Sequence, residues 1–200
     1  MTFQVLYALA GFAFVSSITP GPNNLMLMAS GANFGFTRSL RHMFGISIGF
    51  TVMVALVGIG LMQAFDLWPA SYQILKVFSV GYLVWLATKI SRAAAPDTAS
   101  QSGKPFGFFQ AAAFQWVNPK AWSMALSAIT LYAPERDIWT ILMVAVIFGL
   151  VNLPSVSVWT MMGLQVRRLL QNPARLRAFN YTMAILLLAT LYPVLYPATG

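Results

Sequence analysis

Six stretches of the chain carry few charges, and polar residues are confined largely to the intervals between them. The first runs from Gln4 to Ser30; the others are roughly Met43 to Met62, Trp68 to Ile90, Phe106 to Tyr132, Ile138 to Gly163 and Ala178 to Tyr196. Each approaches or exceeds the ~20 residues a helix needs to cross the hydrocarbon core. A helix is also the single-segment structure that satisfies its own backbone groups in lipid. The pattern predicts an all-α membrane protein of six transmembrane helices, forming one domain over 1–200.

The first stretch is not uniform, because Thr19-Pro20-Gly21-Pro22-Asn23-Asn24 interrupts it. Two prolines and a glycine cannot lie in an unbroken helix without loss of backbone hydrogen bonds. At membrane depth the freed groups must be met by protein or by water in a cavity. The fourth stretch is interrupted in the same way at Asn118-Pro119-Lys120. Asn is a strong N-cap and Pro is favoured at the first helical position, so a half-helix is predicted to begin at Pro119. In the first stretch Thr19-Pro20 offers the same pair, with Gly21-Pro22 as the alternative register.

These interruptions lie about 100 residues apart, and so do Phe44-Gly45 and Phe148-Gly149, and Leu86-Ala87-Thr88 and Leu188-Ala189-Thr190. Three spans per half make the halves oppositely oriented: two inverted three-helix repeats, about 1–95 and about 106–200, joined by an Ala/Ser/Pro/Gly-rich linker at about 93–105. Interrupted helices in matching positions of inverted repeats point to the midplane binding site of a secondary transporter. Each half-helix N-terminus carries about half a positive charge and unpaired N–H groups, which suit a carboxylate. The bland reading is two proline kinks that only shape packing.

Composition agrees with a membrane protein: 58% hydrophobic, 8% charged, mean hydropathy +0.71. The net charge of +8 sits mainly in alternate loops. The first, third and fifth connections and their flanks hold Arg38, Arg41, Lys89, Arg92, Lys104, Arg167, Arg168, Arg175 and Arg177, whereas the second and fourth contribute Arg136. By the positive-inside rule both termini face the periplasm, and no nucleic-acid partner is implied. Met1-Thr2-Phe3 lacks the basic start of a cleaved signal peptide. The chain has no cysteine and one histidine, and it lacks GxxxxGK[ST], HExxH and GxSxG. No enzyme, metal site or cofactor is expected.

The site residues predicted from the two breaks are Thr19, Pro20, Gly21, Pro22, Asn23, Asn24, Asn118, Pro119 and Lys120. Gln115, one turn before Pro119, and Asn152, which with Pro154 interrupts the fifth span, join them. Lys120 either helps hold the substrate carboxylate or snorkels to the interface. Lys76 and His42 read as interfacial residues, and the GxxxG spacings Gly31–Gly35 and Gly45–Gly49 as packing that also permits a homodimer. Trp68, Tyr132, Trp139, Tyr192 and Tyr196 read as interfacial anchors. The four acidic residues, Asp66, Asp97, Glu135 and Asp137, fall in loops or at helix ends. Coupling to protons, the candidate ion, would then run through Lys120, water or the substrate, unless the protein is a uniporter.

Several of these segments together resemble a family. Pro20-Gly21-Pro22-Asn23 and Asn24-Leu25 run into Asn33-Phe34-Gly35-Phe36, then Gly45-Ile46-Ser47-Ile48-Gly49, Leu75-Lys76 with Gly81-Tyr82-Leu83, and Asn118-Pro119-Lys120-Ala121. The combination is similar to the LysE/RhtB amino-acid exporters over most of the first half and the fourth span; the last third matches mainly in hydropathy. The resemblance implies a six-helix bacterial inner-membrane carrier, driven by the proton gradient, that exports small amino acids or their derivatives. Branches that handle basic amino acids carry an Asp near the positions of Gly49 and Phe50, absent here, so a neutral substrate such as threonine, homoserine, a branched-chain residue, cysteine or O-acetylserine is implied. The competing class is a channel or structural membrane protein without a saturable substrate site.

Overall fold

The computed structural model describes residues 1–61, 67–68, 70–92, 104–170 and 172–192, with only the backbone of Tyr72. The first stretch folds as two helices, α1 (Phe3–Ile18) and α2 (Pro22–Phe34), bent by 57° at the break. α3 (Phe36–Leu56) continues into a wider π-helical turn, Val57–Leu61. α4 spans Ala70–Ser91. The fourth stretch is also divided: α5 (Phe108–Phe114) tightens into a 3-10 turn, Gln115–Val117, before α6 (Pro119–Tyr132) begins. α7 covers Ile138–Arg167 and α8 Pro173–Ala189.

Three helical segments among the described residues are long and apolar enough to cross a membrane, Phe36–Leu61, Gln73–Ser91 and Ile138–Leu170; the bent α1–α2 pair makes a fourth. The fourth stretch falls short of that length because Pro119 divides it. The expected linker lies mostly outside the described residues, as do Asp66, Asp97 and the end of the sixth stretch.

Local chemistry explains the helix ends. Asp137 accepts the Thr140 N–H at 3.0 Å and Asn172 accepts the Ala174 N–H at 2.8 Å, so each satisfies a first-turn donor. α2 and α3 are joined by one residue, Gly35, whose φ of 82° suits glycine and whose N–H closes α2 on the Gly31 carbonyl. Helix α3 therefore starts seven residues before the expected Met43: Gly35 turns the chain and lets Phe36 to His42 continue as helix.

α7 packs against α1, α2 and α3, while α5 lies along α3 and α4 against α8. Phe148 on α7 meets Phe12 of α1 at 5.9 Å and Phe50 of α3 at 5.6 Å between ring centres, both edge-on. Gly31 of α2 lies against the backbone of Thr160, and Gly163 of α7 against that of Met28, so the crossing is mutual. Gly45 and Gly49 face Phe108, Ala111 and Ala112 of α5. Both expected glycine pairs thus include close internal contacts, and Gly45 and Gly49 are not available to a dimer. Many large apolar residues point outward, among them Phe14, Val52, Phe78, Val146 and Ile185, which matches a lipid solvent.

Two expectations fail on these helices. Pro154 does not interrupt the fifth span; α7 runs through it, because the proline removes the donor to a single carbonyl and lies on an exposed face. His42 does not lie on the surface at its helix end as an interfacial residue would: it is 2% exposed, against the Phe106 ring.

A methyl group at residue 163 would run into the Met28 carbonyl, with backbone rather than a flexible side chain to yield. Gly163→Ala should cost about 1–3 kcal/mol and lower the apparent Tm of the detergent-solubilised protein. Gly11→Ala and Gly81→Ala, with nothing within 4 Å, should leave it unchanged. Equal melting of all three variants would contradict this packing account.

Candidate functional site

Proline removes a backbone donor, and the first break shows what replaces it. In a continuous helix the Ser16 and Ile18 carbonyls would receive the N–H groups of residues 20 and 22, both prolines. Instead the Thr19 hydroxyl donates to Ser16 O at 3.0 Å, and the Trp159 indole of α7 donates to Ile18 O at 2.9 Å. The Asn24 side-chain amide bridges Ser17 O and Thr19 O, each at 2.8 Å. Thr19 O and Pro20 O then receive the Lys120 ammonium at 2.6 and 3.2 Å, and the Thr19 hydroxyl oxygen lies 2.9 Å from the same nitrogen.

The second break follows the same logic. Pro119 takes away the donor for Gln115 O, which accepts the Asn118 N–H at 3.2 Å. Trp116 O accepts the Trp122 indole at 2.9 Å, while the Lys120 N–H turns to Asn118 Oδ1 at 3.1 Å. Asn118 is therefore the expected N-cap and Pro119 the first residue of α6. In the first break the Gly21-Pro22 register is realised, whereas Thr19 closes α1. Two successive non-helical residues, Pro20 and Gly21, are needed to make the bend.

Lys120 joins the two breaks. Its ammonium reaches from the N-terminus of α6 to the carbonyl end of α1, the negative end of that helix. Its three acceptors match the three donors of an ammonium. A second link is reciprocal: Asn23 donates to Gln115 Oε1 at 2.8 Å and Gln115 returns a bond to Asn23 Oδ1 at 3.2 Å.

Between the breaks lies a cavity of about 20 Å³, lined by Gly21, Asn23, Asn24, Asn118, Lys120 and Asn152 together with parts of α1, α3 and α6. That volume holds about one water molecule. Gln115 lies behind Asn23 rather than on the cavity wall. Pro20, Pro22 and Pro119 line a wider hollow of about 560 Å³ on the other side of Gly21 and Lys120, with Ser123 and Thr190. None of the described hydrogen bonds uses the N–H of Asn23, Asn24 or Ala121, all residues of the small cavity's lining.

Asn152 lines the cavity for a reason other than the one expected. Its side chain accepts from Ser47 at 3.0 Å and donates to Ser17 at 3.3 Å, while Ser155 and Ser157 bond to their own helix at Val151 O and Leu153 O. Ser17, Ser47 and Trp159 were not among the expected site residues. The signal for Trp159 was indirect: Pro22 leaves Ile18 O needing a donor, but nothing in the sequence says which helix supplies it.

The family profile described as "LysE type translocator" matches residues 14–191. Proteins named cysteine/O-acetylserine efflux protein from Escherichia coli strain K12, Escherichia coli O139:H28 and Shigella sonnei strain Ss046 are each 28% identical over 199 residues, covering 98% of this chain and 100% of the relative. No solved structure matches. The profile covers both breaks and every described helix at least in part, so the chain belongs to the LysE family of translocators and is a transporter rather than an enzyme.

Proposed function

We propose that this chain is a secondary transporter that exports a small neutral amino acid or derivative, of the cysteine and O-acetylserine kind, across the bacterial inner membrane. The observation that carries the reading is that Lys120 lines one small cavity together with Asn23, Asn24 and Ala121, whose N–H groups take part in none of the described hydrogen bonds. The substrate carboxylate takes the Lys120 ammonium in exchange for the Thr19 and Pro20 carbonyls and receives the first-turn amides of α2 and α6. Asn152 and Asn118 offer acceptors to the substrate ammonium. The names of the similar proteins support the substrate class.

At about 20 Å³ the cavity is closed to an amino acid, so export requires the two breaks to separate. Two inverted repeats, about 1–95 and about 106–200, provide that motion by rocking about the site. The packing supports this relation: α1 lies on α7 and α5 on α3, each crossing to the other half, while α3 meets α7 and α4 meets α8. Arg38, Arg41, Lys89 and Lys104 line one hollow, and Arg167 lies beside Gly35 at the same end. That end is assigned to the cytoplasm by the positive-inside rule, which leaves both termini periplasmic.

Lys120 is the titratable side chain among the described cavity residues, and proton coupling is assigned to it. Counterflow in proteoliposomes, with unlabelled O-acetylserine inside and labelled outside, should show transient accumulation; simple equilibration would instead indicate a channel. Lys120→Met should abolish counterflow while the protein still reaches the membrane, and undiminished counterflow would remove Lys120 from the site. Lys120→Arg keeps the charge but cannot release a proton near neutral pH. It should retain exchange and lose accumulation driven by a pH gradient, and wild-type accumulation would refute the coupling role. A methyl group on Gly21 would meet the Lys120 side chain, so Gly21→Ala should slow counterflow roughly tenfold, the scale of about 1.4 kcal/mol of strain. An unaltered rate in that variant would show that the lysine's position is not critical.

A further inference from the structure

A second cavity, of about 300 Å³, lies among α2, α3, α4 and the segment entering α5. It shares no lining residue with the cavity at the breaks. Its inner wall carries Asn33 and His42, and its lining includes Lys89, Arg92 and Lys104. No acidic residue is among the described lining residues. Lys89 and Lys104 also line the adjoining hollow that holds Arg38 and Arg41, so cations extend from the cavity to the surface.

The inner wall has unmet hydrogen-bonding capacity. His42 is 2% exposed, and neither of its ring nitrogens has a partner among the described residues; the buried Asn33 Oδ1 also has none. The Asn33 amide nitrogen is already committed to Ala29 O at 2.8 Å and Asn180 Oδ1 at 3.1 Å. Those bonds fix the side chain so that its oxygen stays available as an acceptor. A neutral imidazole offers one donor and one acceptor. Buried polar atoms are ordinarily paired, and leaving several unpaired is costly. A matching ligand must therefore bring a donor for the inner acceptors and an anionic group for the cations.

We propose that this cavity is a second binding site for the zwitterion of a small amino acid, its ammonium on Asn33 Oδ1 and His42 and its carboxylate toward Lys89, Arg92 and Lys104. The identification of the solute as an amino acid rests on the transport reading above. The site is a vestibule at the basic end of the molecule, separate from the one at the breaks. A phosphatidylethanolamine headgroup presents the same ammonium and oxyanion, so the test must distinguish the two sources.

The chain has one histidine, so histidine-selective ¹⁵N labelling of the full-length protein, purified without a histidine tag, reports this site alone. Titration with O-acetylserine in detergent micelles should move the imidazole resonances saturably. The shift should persist in Lys120→Met, which disables the other site. In Arg92→Gln/Lys104→Gln the apparent Kd should rise about tenfold, the scale of a lost charge-assisted hydrogen bond. Resonances that stay fixed at O-acetylserine concentrations saturating counterflow would overturn the proposal, as would a response to short-chain phosphatidylethanolamine alone. If counterflow fails for every amino acid while the imidazole still responds, the transport reading falls and the site stands. If counterflow proceeds and the imidazole is silent, the site falls alone.

Discussion

Carbonyl groups stripped of their helical donors at Pro20, Pro22 and Pro119 must find partners inside the protein, and this requirement organises the centre of the molecule. In a hydrocarbon core, unlike in water, such groups have no bulk solvent to turn to. Ser16 O, Ile18 O and Gln115 O take the Thr19 hydroxyl, the Trp159 indole and the Asn118 N–H, and the neighbouring carbonyls at the two bends take the Asn24 amide, the Trp122 indole and the Lys120 ammonium. Trp159 and Lys120 come from other helices, so the same bonds that satisfy the first break also fix how α1 sits on α7 and against α6. Satisfying the backbone and building a polar site are one arrangement.

The broken helices were legible because proline chemistry is local. Asn118 before Pro119 is an N-cap signal that depends on neighbouring atoms, and the structure carries it unchanged. The first break was less determinate, since Thr19-Pro20 and Gly21-Pro22 both satisfy the same rule. Tertiary contacts select the second: Gly21 leaves room for the Lys120 side chain, which a Cβ there would obstruct. Pro154 shows the limit of reading proline as a break. A lone proline within a long helix costs one bond, whereas Pro20-Gly21-Pro22 removes two donors and adds a residue free to leave the helix.

What holds Asn152 at the cavity and where His42 points were not legible for a related reason. Sequence places each on a helix but not on the side that meets another helix. Asn152 is held by Ser17 and Ser47, more than 100 residues distant in the chain. His42 reads as interfacial from its neighbours Arg38 and Arg41, yet helix periodicity turns it inward onto Phe106 while those arginines line the outer hollow. Hydropathy records where a segment lies, not the direction in which one side chain points.

Helix α2 has thirteen residues, about 20 Å at 1.5 Å per residue. Asn23 and Asn24 stand at one end beside the small cavity, while Ser30 and Asn33 stand toward the other beside the larger one. Gly35 then joins that far end to α3 without an intervening loop. The two hollows are therefore mounted on a single short strut, and a tilt that widens one necessarily reshapes the other.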